Sequence, residues 1–129
     1  MKEVALTTQI TDSITMALQS LATVDERAAR VRAVATRLVN DHGSNLPLPI
    51  DVRAEASTSR AHVALQLSTE ADTRLWAEAL GVSLTVSENP VGDLGHYEHL
   101  AAEFVVDEVE ARVSSATWVP AVRDGSVSA

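Results

Sequence analysis

Histidine is the side chain best suited to metal ligation and to proton transfer near neutral pH, and this sequence has four: His42, His62, His96 and His99. His96-Tyr97-Glu98-His99 has the i, i+3 spacing that puts two imidazoles on one face of a helix. The alternation around it reads as a strand, where the same two positions face opposite ways, so the pair is not a chelating unit. There is no His-Glu-x-x-His, and a zinc site would have to be assembled from His62, His99 and a carboxylate such as Glu103. Those three are weak metal candidates, and a small enzyme or metal-binding protein centred on His62, His96 and His99 is the functional alternative they define. His42, followed by Gly43, fits the end of a helix, where an imidazolium complements the helix dipole.

Other catalytic signatures are missing. The sequence has no Gly-x-Ser-x-Gly elbow, no phosphate-cradling glycine loop and no dinucleotide fingerprint. Asp107, Glu108 and Glu110 crowd together at the tip of an expected hairpin, where water is abundant, whereas acid–base catalysis needs carboxyls in contrasting environments. With zero cysteines, thiol nucleophiles, disulfides, Cys-ligated zinc and iron–sulfur clusters are excluded. No catalytic residue and no cofactor is assigned.

Surface recognition has better candidates among the four aromatics, Trp76, Tyr97, Phe104 and Trp118. If Asp107 and Glu108 form the turn of the last hairpin, Glu103 faces Arg112 and Tyr97 faces Trp118, an ion pair and an aromatic pair that both favour that register. A turn at residues 57–60 likewise sets Glu55 against His62. All these side chains lie on the sheet face opposite Phe104 and Val63. Exposed Tyr and Trp anchor protein interfaces, so Tyr97 and Trp118 are interaction candidates, unless the Val119-Pro120 tail or the 88–95 loop covers them. Base stacking there is disfavoured by Glu98, Glu103 and Glu110, which repel phosphate. Trp76 falls on the apolar stripe of a helix and reads as core.

The elements that position these residues follow from periodicity. Ile10, Ile14, Ala17, Leu18 and Leu21 have helical spacing over residues 9–22. Thr23-Val24-Asp25-Glu26 is a capping box that predicts a second helix carrying Val24, Ala28, Val31, Val34, Ala35, Leu38 and Val39, stopped at His42-Gly43. Residues 1–43 are thus expected to form a helical hairpin. Arg30 and Arg37 flank its second apolar arc on one side and Arg32 on the other, either salt-bridged to the protein's own sheet or offered to a partner. Period-2 alternation predicts a β-hairpin at Ile50 to Ala56 and Ala61 to Leu67. A helix capped by Ser68 and ended by Gly81 should follow, then a strand from Val82 to Val86 and two longer strands either side of Asp107-Glu108. The order is ααββαβββ, an α+β fold with helices on one face of a mostly antiparallel five-stranded sheet. Residues 50–118 form its ββαβββ sheet unit, and 119–129 a loose tail.

A chain of 129 residues that is 46% hydrophobic is one domain with a self-sufficient core. Its formal charge of -8 disfavours nucleic acid, and all of it falls after residue 42, leaving the helical segment neutral. An acidic sheet of this kind could also mimic nucleic acid. Neither a signal peptide nor a run of about 20 apolar residues is present, which implies a soluble, cytoplasmic protein without a membrane partner. Nine of ten basic residues are Arg and 37 positions are Ala or Val, the usage of a GC-rich coding sequence. The segment Leu75-Trp76-Ala77-Glu78-Ala79-Leu80-Gly81, followed by a Val-rich strand, is similar to small proteins of GC-rich actinobacteria and their phages, a resemblance that transfers no catalytic residue. The expectation is a non-catalytic protein-interaction or assembly module of a GC-rich bacterium or its mobile element. It should be homo-oligomeric, with Tyr97, Trp118, Arg30 and Arg37 as contact residues.

Overall fold

The computed structural model describes residues 2–122, with side chains from residue 5 onward. The chain forms α1 (Lys2–His42), β1 (Asp51–Ala56), β2 (Ala61–Gln66), α2 (Glu70–Leu80), β3 (Thr85–Glu88), β4 (Gly95–Val106) and β5 (Val109–Pro120). The strands make one sheet in the order β1-β2-β5-β4-β3, parallel between β2 and β5 and antiparallel at the other three junctions. The fold is α+β as expected, but the expected helical hairpin is a single 41-residue helix.

The reason lies in what surrounds the capping box. No Gly or Pro occurs between residues 2 and 42, and the apolar positions Ile10, Ile14, Ala17, Leu21, Val24, Ala28, Val31, Ala35 and Leu38 keep one phase straight through Thr23. The Thr23 hydroxyl donates to the Gln19 carbonyl at 3.0 Å, satisfied by the turn before it, and is not used as an N-cap. A capping box marks a helix start only where the upstream chain leaves the helical phase, and here it does not.

Two boundaries of the later elements also move. Thr69, not Ser68, caps α2, its hydroxyl accepting the Asp72 amide at 3.1 Å. Gly81 ends the helix at φ 69, and the amides of Gly81 and Val82 bond back to the carbonyls of Glu78 and Ala77. Val82 is thereby spent on the helix cap, and β3 begins only at Thr85. The last hairpin has the expected register, with Glu103 opposite Arg112 and Tyr97 opposite Trp118, and in the first Glu55 faces His62. Asp107 and Glu108 both take positive φ, 49 and 65, the backbone that lets a two-residue turn match the strand twist. Of the expected loose tail, Val119 and Pro120 belong to β5 and the Ala121 amide bonds to the Leu94 carbonyl, while residues 123–129 lie outside the described residues.

Both helices pack on one face of the sheet. Val31, Val34 and Leu38 from the second half of α1 meet Val63, Leu65, Ala111 and Val113, with Trp76 of α2 in the same cluster. The indole Nε1 donates to the Pro47 carbonyl at 2.7 Å, which gives the buried ring a partner for its one polar atom. Arg30 pairs with Glu108, and Arg37 with Asp107 at 2.6 Å, joining the neutral helix to the acidic sheet at the β4–β5 turn.

Candidate functional site

The first half of α1 leaves the body. The last anchoring contact on that side is Arg27, whose guanidinium donates to the Ser57 carbonyl of the β1–β2 turn at 2.8 Å. Val24 and Ala28 are half-buried there, and every residue from 5 to 22 is exposed. Five aliphatic side chains on this arm, Leu6, Ile10, Ile14, Leu18 and Leu21, are 52% to 61% exposed. They continue the stripe that, from Val31 on, is buried against the sheet. Asp12 is the arm's one charged residue between 5 and 24. The result is an uncovered apolar seam on a helix of no net charge.

Periodicity identified Ile10, Ile14, Leu18 and Leu21 of this seam, but neither Leu6 nor the seam's exposure. A 3.6-residue stripe reports that something covers it, and a second helix of the same chain was the simplest cover. The distinguishing signal was the unbroken phase across Thr23 together with the absence of a helix breaker.

A second apolar region adjoins the other end of α1. Leu38, Val39, Leu48, Val52, Leu65 and Trp76 line a groove of about 390 Å³ beside edge strand β1. Leu48 and Ile50, just before β1, and Val52 within it are exposed.

Tyr97 and Trp118 meet on the uncovered sheet face in an edge-to-face pair, ring centroids 5.1 Å apart. Each is 46% exposed, so neither the end of β5 nor the 88–95 loop closes over them. Gly95 lies against the end of β5: its φ is +143, and a Cβ there would run into the Val119 carbonyl and lie 2.8 Å from the Trp118 ring. The other two proposed contact residues are engaged within the chain. Arg30 bridges Glu26 and Glu108, and Arg37 holds Asp107.

The histidines do not converge. His62 stands opposite Glu110 of β5 and His99 opposite Ala116, six residues further along that strand, which is about 20 Å. Glu103 lies between them and is held by Arg112 at 3.1 Å, as Glu110 is by Arg60 at 3.0 Å. His96 points to the helix side of the sheet, 3.8 Å from Glu88. The expected grouping of His62, His99 and Glu103 is therefore corrected: among the described residues no three His, Asp or Glu side chains are placed to hold a metal ion. His42 ends α1, its ring edge-on to Trp76 at 5.9 Å.

One carboxyl departs from ordinary behaviour. Glu98 is held above the usual carboxylate range, first by a hydrogen bond with the Glu70 side chain and by that group's charge, then by partial burial and by Glu88. His96 pulls the other way. The cluster lies at an open edge of the sheet beside the start of α2.

No described helix is long and apolar enough to cross a membrane. Compared with models of protein families, with characterised proteins and with solved structures, the chain has no significant match.

Proposed function

We propose that this protein is a non-catalytic interaction or assembly module of the cytoplasm that associates with itself, with the projecting half of α1 as its docking element. The observation that carries this is the seam of Leu6, Ile10, Ile14, Leu18 and Leu21, on a stretch of helix whose residues 5–22 are all exposed. Monomeric soluble proteins seldom expose contiguous apolar patches of this extent. Tyr97 and Trp118 offer a smaller second surface on the open sheet face. A cytoplasmic setting agrees with the absence of cysteine. Mimicry of nucleic acid draws little support from the sheet, since Glu103 and Glu110 each carry an arginine partner that cancels the phosphate-like charge.

The test is site-specific photo-crosslinking in the full chain, with the reactive group at Leu18 in one variant and at Glu103 in another, and adducts identified by mass spectrometry. Covalent adducts to one defined protein from Leu18, and few from Glu103, are expected. Equal, diffuse labelling from both positions, or none from Leu18, overturns the assignment.

A further inference from the structure

We infer that the arm of α1 is covered by the arm of a second copy, in an antiparallel helix pair whose facing residue numbers sum to 31. This rests on the reading of the arm as a docking element and adds the identity and orientation of its occupant. Three observations carry it.

The first is that the arm is a poor helix on its own. Thr7, Thr8, Ile10, Thr11, Ile14, Thr15, Thr23 and Val24 are β-branched, and from residue 5 to 24 there is no oppositely charged pair to brace the turns. Thr11 and Thr15 send their hydroxyls back to the carbonyls four residues earlier, at 2.9 Å each, which does not strengthen a helix. Helical order in such a segment comes from packing of its apolar face, and the chain's own body supplies none.

The second is the match of the seam to itself. Ile10, Ile14, Ala17, Leu21 and Val24 alternate four- and three-residue steps, the repeat of a two-stranded coiled coil. Run antiparallel, Ile10 of one copy faces Leu21 of the other and Ile14 faces Ala17, so each layer joins a large side chain to an equal or smaller one and symmetry repeats it. Run parallel, Ala17 faces Ala17 and leaves a gap in the middle of the seam. Asp12 points away from the seam in both cases, and Leu6 and Leu18 flank it.

The third is charge. Each copy has a net -8 that falls entirely after residue 42. A parallel pair sets two acidic bodies side by side. An antiparallel pair overlapping over residues 7–24 separates them by about 27 Å, some three screening lengths at physiological salt. The neutral arm lets two copies meet while their acidic bodies stay apart.

The seam is short, and it places the association at the small end of stable interfaces, with dissociation in the micromolar range. Sedimentation velocity on the full chain from about 1 to about 300 µM should show a monomer passing to a dimer and no higher species. Ile14→Asp should hold the chain monomeric over that range while the near-ultraviolet signal of buried Trp76 stays unchanged. For orientation, Ala29→Cys in this cysteine-free chain gives one spin label per copy on the outer face of α1. The labels should lie about 40 Å apart in the antiparallel pair, against less than about 20 Å in a parallel one.

A short label distance overturns the inference, as does a dimer that survives Ile14→Asp, which would use another surface. A chain monomeric at the highest concentration that still cross-links from Leu18 to a different protein removes the second copy and leaves the arm as a docking element. Absence of both dimer and adduct removes both. Binding of the monomer to phosphatidylcholine vesicles through the arm would assign the seam to lipid and overturn the proposal.

Discussion

Ser115 lies buried on the helix side of β5, and its hydroxyl has no hydrogen-bond partner among the described residues. A buried polar atom left unpaired costs roughly 1 to 3 kcal/mol, and replacing it by an apolar group of similar size recovers most of that. Ser115→Ala should therefore raise stability by about 1 kcal/mol, seen as a higher urea midpoint at unchanged slope. A lower midpoint would mean that the hydroxyl is in fact satisfied. Glu98 carries the opposite kind of cost. Its pKa is raised in the folded protein, chiefly by the hydrogen bond and charge of Glu70, so its favourable contribution is complete below the unfolded pKa and is lost as pH climbs through the raised value. Above that, three carboxylates, Glu70, Glu88 and Glu98, repel one another with only His96 opposing. Glu98→Gln should raise the melting temperature at pH 7, with the gain shrinking to nothing near about pH 3, where the Glu98 carboxyl is itself protonated. A gain that is the same at both pH values would locate the effect in packing and not in ionisation. Both residues were readable as positions on strands, but their strain comes from neighbours that only the fold brings close.

The β4–β5 turn shows how an element can be held by its environment against its own chemistry. Asp107 and Glu108 adopt left-handed backbone, which costs non-glycine residues roughly 1 to 2 kcal/mol each. Their ion pairs with Arg37 and Arg30 are exposed and contribute about 0 to 1 kcal/mol each. Replacing Asp107-Glu108 by Asn-Gly removes more strain than attraction, so thermal unfolding should show a net stabilisation of about 1 kcal/mol, and a loss would mean that the arginine pairs dominate. The placement of this turn was legible because strand alternation and cross-strand chemistry agree: Glu103 with Arg112 and Tyr97 with Trp118 fit one register and no neighbouring one. The same agreement exposed the Tyr97 and Trp118 surface. Elements defined by local motifs fared worse. Thr23 and Glu26 satisfy a capping box, Ser68 satisfies an N-cap, and Val82 satisfies strand alternation, yet each is decided by the residue next to it: the unbroken helix before Thr23, the hydroxyl of Thr69, and the Gly81 cap that takes the Val82 amide. The grouping of His62, His99 and Glu103 failed for a related reason, since residue types and spacing could not tell that His62 and His99 stand at separate levels of the sheet.

At the scale of the molecule, net charge is segregated along the chain. The acidic sheet lies at one end, the arginines at 27, 30, 32 and 37 run along α1 where it crosses that sheet, and the arm beyond them is neutral and apolar. This segregation divides stability as well. The buried cluster draws on α1 only from Val31 onward, so the body does not depend on the arm for its core, whereas the proposed pairing makes the arm's helix depend on a second copy. Hydrogen exchange at several protein concentrations separates the two. Amides of β4 and β5 should keep the same protection throughout, because their opening requires unfolding of the body. Amides of residues 8–20 should exchange rapidly at low micromolar concentration and gain protection as the concentration rises toward the dimer. Protection of the arm that is high and independent of concentration would mean that the helix is stable by itself, and the propensity argument for a second copy would then be lost. Protection that rises with concentration in the sheet but not in the arm would place the contact on the Tyr97 and Trp118 face instead. Under the proposed pairing the long helix joins two regimes in one element: its second half is fixed by the sheet, and the order of its first half follows how many copies are present.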